Sequence, residues 1–244
     1  MKSMPVEAHV FISHTHWDHI QGLPFFVPLF VPGCKVNFYG AFDPVYHRGL
    51  ADILKAQMDY CYFPVREGEL KAEISYRSLK EGETVSVGGA RVTAVLMNHP
   101  VMNFGYLIEA DGQKMFFTGD HEPPRNIYEP GDEEYEEYGE ILQLKNESIY
   151  EKIRDADMIV ADSMYTEKEY PAKVGWGHGT HGTCLEMARQ VGAGSVVMTH
   201  HEPIRLDAEL DAIDAELRAK RSDDDPKVVI AREGLMIDVG KGSE

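Results

Sequence analysis

The segment His14-Thr15-His16-Trp17-Asp18-His19 constrains this chain more than any other, because it sets four metal-capable side chains within six residues. It follows the apolar, β-prone run Val10-Phe11-Ile12-Ser13. Alternate residues of an extended segment point the same way, so His14 and His16 can grip one cation together. Asp18 and His19 come as the chain turns into Gln21-Gly22-Leu23-Pro24 and can reach a second. Imidazole with carboxylate is a ligand set for zinc, with manganese and iron as close competitors. A structural zinc site normally uses cysteine and closes its shell with four protein ligands. This run has no cysteine and needs distant partners, so it reads as catalytic rather than as a histidine-rich surface loop.

Candidate partners sit where strands should end. Arg91 to Met97 leads to Asn98-His99, and Lys114 to Phe117 leads to Thr118-Gly119-Asp120. Met158 to Ala161 leads to Asp162, and Ser195 to Thr199 leads to His200. Short apolar runs bounded by Gly, Asn, Asp and Pro are strand signals. Polar groups at the ends of such strands are where α/β proteins gather their active sites.

With these positions in place, His14-x-His16-x-Asp18-His19 followed by His99, Asp120 and His200 resembles the metallo-β-lactamase fold superfamily of two-metal hydrolases, from about residue 9 to about residue 205. The resemblance implies an α/β fold, a four-layer αββα sandwich with mixed sheets. It implies that His14, His16 and His99 hold one divalent metal, that Asp18, His19 and His200 hold a second, and that Asp120 bridges them. Zinc is the expected metal, with manganese or iron as alternatives. Two cations roughly 3.5–4 Å apart can share a water, lower its pKa and clamp both oxygens of an in-line displacement.

The C-terminal third is similar to ribonuclease Z and related phosphodiesterases: Asp162-Ser163-Met164-Tyr165, then Gly177-His178-Gly179-Thr180, then Thr199-His200. That resemblance implies His178 as general acid or cationic stabiliser, oriented by Asp162, with Asp18 helping to position the nucleophile. The chain departs from ribonuclease Z in having Asp162 for glutamate and Gly179 for serine. The simpler alternatives are a loop histidine at 178 and a turn cap at 162. His201, His121, His181, His9 and His47 are read as neighbours or bystanders. Tyr165, Trp176 and Phe104 offer a base-stacking wall, although aromatics are more often core residues.

Charge bears on substrate. There are 24 basic and 41 acidic residues among 244, a net charge of −17. Long nucleic acid is usually captured by a basic surface, and the chain has no Lys/Arg-rich block. Its densest charge run is acidic, Asp132-Glu133-Glu134-Tyr135-Glu136-Glu137, read as a solvated surface segment. A small phosphodiester substrate is therefore expected. Cys34, Cys61 and Cys184 show no CxxC spacing and suit a reducing cytoplasm, most simply as small buried hydrophobes. No apolar stretch is long enough to span a membrane, and the N-terminus does not look like a signal peptide.

Helices are expected over 43–60, 145–155, 183–191 and 207–221, with a hairpin at Asp111-Gly112 and a last strand near 228–230. Residues 1–244 read as one hydrolase domain. Members of the resembled superfamily usually carry several strands before the first metal motif, and only thirteen residues precede His14 here. Some N-terminal strands are expected to be missing, leaving a sheet edge that a second copy would cover, which predicts a homodimer. Three functions are compatible with the residues: a two-metal phosphodiesterase acting on small or cyclic nucleotides, a carbonyl hydrolase (lactam, lactone or thioester), or a metal-binding module without catalysis. An RNA-processing activity like that of ribonuclease Z stands as an alternative to the first.

Overall fold

The computed structural model describes residues 4–239, and the chain divides into two compact units. The first runs to Glu83 and takes in Val101–Phe104; the second holds Thr84–Pro100 and the chain from Gly105 onward.

The first unit is built on β1 (Glu7–Phe11), α1 (Trp17–Ile20), β2 (Lys35–Gly40), α2 (Leu50–Ala56) and β3 (Glu73–Ser78). Its strands form a three-stranded sheet in the order β1-β2-β3, parallel throughout. Burial alternates along β2, so Val36 and Phe38 face one side, where they meet Leu50 and Leu54 of α2 with Leu29 and Ile20. Each such side chain, fully buried, contributes roughly 1.5–3 kcal/mol. The proline-broken run after residue 25 forms two short 3-10 turns, Leu23–Phe25 and Val27–Phe30, and lends Leu29 to this core.

The helix expected over 43–60 is a correction: it occupies only Leu50–Ala56. The Asp43 carboxylate accepts from the Val45 and Tyr46 amides at 2.9 and 3.3 Å, and Asp43 and Arg48 pair through their backbones. Asp43 therefore caps a loop, a local alternative to helix that short acidic side chains offer.

The second unit follows with β4 (Thr84–Val87), β5 (Ala90–Met97), β6 (Asn103–Ala110), β7 (Gln113–Phe117), α3 (Tyr135–Ile153), β8 (Met158–Asp162), α4 (His181–Val191), β9 (Ser195–Thr199), α5 (Asp207–Lys220) and β10 (Lys227–Ile230). These strands make a seven-stranded sheet in the order β10-β9-β8-β7-β6-β5-β4. The mixed character expected of the fold lies here: β4–β5 and β6–β7 are antiparallel, whereas β7–β8, β8–β9 and β9–β10 are parallel. Asp111 and Gly112 both take positive φ, 52° and 77°, which closes the β6–β7 hairpin as anticipated. The carboxylates of the acidic run, Asp132, Glu133, Glu134, Glu136 and Glu137, are solvent-exposed as expected, and the run leads into a helix. Glu136 and Glu137 lie in the first turn of α3, where carboxylates complement the helix dipole.

The core of this unit is Phe116, Ile159, Val196 and Met198 from the sheet against Ile149 and Ile153 of α3 and Cys184, Met187, Ala188 and Val191 of α4. Cys34 and Cys184 are buried as expected; Cys61 is exposed and is not a core residue. α4 is capped by the Thr180 hydroxyl accepting from the Thr183 amide and ends on Gly192 at φ 70°.

Gly105 in β6 is required by sterics: a Cβ there would lie 2.7 Å from Phe116 Cζ and 2.9 Å from the Phe117 carbonyl oxygen. Gly105→Ala is expected to destabilise the fold by about 1–3 kcal/mol through overpacking. A urea midpoint unchanged from wild type would show that the sheet yields at this position.

Candidate metal and acid site

The parallel register explains how distant segments deliver polar groups together. Phe117 pairs with Val160, Val160 with Val197, and Asp162 with Thr199, so β7, β8 and β9 end along one edge of the sheet. Asp120 lies just beyond β7, Asp162 is the last residue of β8, and His200 follows β9. This is the edge where open α/β sheets place their ligands. Gly119, at φ 61°, allows the turn that carries Asp120, and His200 itself holds a left-handed φ of 57°. A non-glycine residue in that region costs on the order of 1–3 kcal/mol and is found most often at functional sites.

Asp162 is buried, and its carboxylate is fully engaged. Oδ2 accepts from the His121 amide at 3.0 Å and lies 2.9 Å from His178 Nδ1, while Oδ1 accepts from the Met164 amide at 3.2 Å. One side chain thus caps the turn at Met164 and contacts the His178 ring. The Cys184 thiol donates to the Asp162 carbonyl at 2.8 Å, and the Asp162 amide donates to Thr118 Oγ1 at 3.1 Å. Because Asp162 occupies Nδ1 of His178, a proton exchanged by this imidazole would sit on Nε2.

Around this pair, Asp120 Oδ1 lies 3.3 Å from His200 Nε2, and Asp120 Oδ2 lies 3.8 Å from His178 Nδ1 and 4.0 Å from His99 Nε2. The rings of His178 and His200 stack at 4.9 Å. One donor atom from each of Asp120, Asp162, His178 and His200 lies within 4.8 Å of the others. Ligands about 2.0–2.2 Å from a tetrahedral cation would be about 3.4 Å apart, so the Asp120–His200 spacing suits a shared ion. Oxygen and imidazole nitrogen donors fit zinc, manganese or iron.

The first unit holds its own donor set. His14 is fully buried, its Nδ1 3.2 Å from the Ser13 hydroxyl and its Nε2 3.1 Å from His16 Nδ1. The His14 and His19 rings lie 4.3 Å apart. Asp18 and His19 share the single turn of α1, 3.4 Å from each other. The ligand candidates of the sequence therefore fall into two groups, His14, His16, Asp18 and His19 in one unit and His99, Asp120 and His200 in the other, where the acid candidates Asp162 and His178 also lie.

The bystander histidines have structural roles. His9 stacks on Tyr39. His181 opens α4. His201 Nε2 is 3.1 Å from the Ala231 carbonyl oxygen. Burial pushes His121 down to about 4, so it stays neutral at physiological pH, and its Nδ1 accepts from the Asn98 amide. Of the aromatic wall, Tyr165 and Phe104 are buried, and Trp176 is 59% exposed.

Glu122 is the site residue that sequence reasoning misses. This buried carboxylate accepts from the Tyr170 hydroxyl at 2.7 Å, from the Gly175 amide at 2.9 Å and from the Gly177 amide at 2.8 Å. The only sequence signal was its place two residues after Asp120.

Comparison with known proteins agrees with this geometry. A model of the β-lactamase superfamily domain matches residues 2–201. The chain is 25% identical to a ribonuclease Z of Haloarcula marismortui, over 93% of its own length and 78% of the relative's. It is 26% identical to a ribonuclease Z of Methanopyrus kandleri, over 94% and 78%. In three dimensions it is similar to human tRNase Z, short form, with a TM-score of 0.60 at 18% identity, covering 95% of this chain and 78% of that one. At that identity the likeness bears on the fold alone, which is that of the metallo-β-lactamases. The family match runs through both units and most of the sequence: the chain belongs to the β-lactamase superfamily of metal-dependent hydrolases.

Proposed function

We propose that the chain hydrolyses phosphodiesters with a pair of divalent cations. The observation that carries the reading is the Asp162–His178 pair at 2.9 Å, beside Asp120 and His200. Carbonyl hydrolysis by the same donors has no evident need of a buried carboxylate–imidazole pair, whereas expulsion of an alkoxide from phosphorus needs a proton donor.

In this reading His14, His16 and His99 would hold one cation and Asp18, His19 and His200 the other, with Asp120 available to either. Bound there, the two cations would supply charge neutralisation at phosphorus and a water of lowered pKa. The chain does the rest. Asp162 fixes the tautomer of His178 through Nδ1, leaving the transferable proton on Nε2 for the leaving oxygen. Asp18 is half of the exposed pair with His19 and assists in orienting the attacking water. Charge supports a small or cyclic nucleotide, since a net −17 disfavours a long polyanion. Extended similarity to proteins named ribonuclease Z supports an RNA phosphodiester instead. A dimer would form through β1, an edge strand of its sheet among the described residues. Among those residues no helix is long and apolar enough to cross a membrane, and the reading remains that of a cytoplasmic enzyme.

Parallel assays with a cyclic nucleotide, a 3′-extended RNA, bis(p-nitrophenyl) phosphate and a thioester test the reading. Turnover of one or more phosphodiesters is expected, abolished by chelation and restored by zinc or manganese. Turnover of the thioester alone would end it. His178→Ala is expected to slow cleavage of a substrate with an alkoxide leaving group by about 10²–10⁴-fold. Metal content by elemental analysis should stay near wild type. Loss of metal would make His178 a ligand, since its ring also belongs to the four-donor cluster.

A further inference from the structure

We infer that Glu122 is a positioning residue for His178, acting through the Gly175–Gly177 strap; the inference rests on His178 being the proton donor. The strap, Gly175-Trp176-Gly177, is short and rich in glycine, a composition that does not hold a fixed shape by itself. Gly175 and Gly177 take φ of 85° and 93°, conformations open chiefly to glycine. Their amides would have no helix or strand partner, yet both end on the same carboxylate. Oε1 of Glu122 accepts from the Tyr170 hydroxyl and the Gly175 amide, and Oε2 accepts from the Gly177 amide. Amide–carboxylate bonds are among the stronger hydrogen bonds, and burial removes competing water.

The carboxylate is itself tied to the sheet. The Glu122 amide donates to the Asn98 carbonyl at 3.0 Å, and the Asn98 side-chain amide donates to the Glu122 carbonyl at 2.9 Å. The strap therefore hangs from the segment that follows β5 and β7. Its far end is equally constrained. The Gly177 carbonyl lies 2.9 Å from His99 Nδ1, and a Cβ on Gly177 would fall 2.3 Å from that nitrogen. His178 is the next residue, so Glu122 and Asp162 fix it from two sides, the backbone through the strap and the ring through Nδ1. A buried charge that accepts three donors from one segment specifies that segment's conformation, which an apolar residue of the same volume would not do.

A positional role predicts a selective loss. With Glu122→Ala, cleavage of a cyclic nucleotide, whose leaving group needs a proton, should fall about 10–100-fold in kcat with KM little changed. Cleavage of methyl p-nitrophenyl phosphate, whose nitrophenolate leaves without one, should stay near wild type. The His99 side chain is fully buried, so metal content should also stay near wild type. Glu122→Gln keeps an acceptor for Gly177 and should restore most of the rate. If Glu122→Ala does not fold, Glu122→Asp, which keeps the charge but withdraws it from Gly177, should show the same selectivity in milder form. An equal fall on both substrates, a loss of metal, or no fall at all would overturn the inference. Amide hydrogen exchange gives a readout independent of turnover: Gly175 and Gly177 should be protected in the wild type and exposed in the alanine variant. Fast exchange of both in the wild type would overturn the inference, whereas a wild type that cleaves neither phosphodiester but shows the protection would overturn only the phosphodiesterase reading.

Discussion

The buried Asp162 carboxylate is the interaction on which the site of the second unit depends. An ionised carboxyl removed from water costs several kcal/mol unless its oxygens are satisfied. Here they are satisfied by the His121 amide, the Met164 amide and His178 Nδ1, three groups from three chain segments. Each partner is fixed by what it meets: His121 follows the Asp120 turn, Met164 follows β8 itself, and His178 ends the strap held by Glu122. Stabilising the charge and assembling the site are therefore one event. The same contact engages Nδ1 of the imidazole, which is how the folding constraint bears on the proposed proton transfer.

The sheet supplies the second half of that logic. Parallel strands bring their C-terminal ends to one edge, and residues beyond those ends no longer have ladder partners. Asp120 and His200 occupy these positions and turn away through backbone conformations outside the strand region, a glycine before Asp120 and a left-handed φ at His200. The strain at His200 is retained by its surroundings, since the Thr199 carbonyl just before it accepts from both the amide and the hydroxyl of Ser163. Local strain of this kind is offset by a well-packed scaffold, here Phe116, Ile159 and Val196 beneath the strand ends.

Much of this was legible in the sequence, for identifiable reasons. The runs ending at Met97, Phe117, Ala161 and Thr199 are apolar and bounded by strong turn residues, and all four are strands. Asp111-Gly112 and Gly192 carry unambiguous backbone preferences, and both acted on them. The failures share a different cause. Asp43 reads as the start of a helix, but an aspartate caps a tight loop with the same carboxylate, and only the tertiary context chooses between them. The exposure of the acidic run follows from its charge, whereas its continuation into α3 does not, since carboxylates in a first helical turn are stabilised by the peptide dipoles. Glu122 could not be found by pattern because its partners are backbone amides more than fifty residues away, which leave no trace in side-chain identity.

The acidic composition bears on substrate more weakly than its size suggests. Several of the carboxylates are internal structural elements: Asp120, Asp162 and Glu122 are buried among donors, and Glu169 is held down to about 2 by its bidentate contact with Arg205. Others lie in i,i+4 pairs along α5, as Asp214 with Arg218 and Glu216 with Lys220. The exposed remainder acts through solvent, where repulsion is screened beyond about 8–10 Å at ordinary ionic strength. Within the site, bound cations would be the dominant charges and would reverse the local sign. Net charge therefore acts on the approach of an anionic substrate, through an encounter rate that rises with salt, rather than on whether a phosphodiester is bound once it arrives. A long RNA crosses more of that surface than a cyclic nucleotide does, so the salt dependence of kcat/KM for the two would separate surface repulsion from recognition at the site, with a steep rise expected for the RNA and a shallow one for the nucleotide.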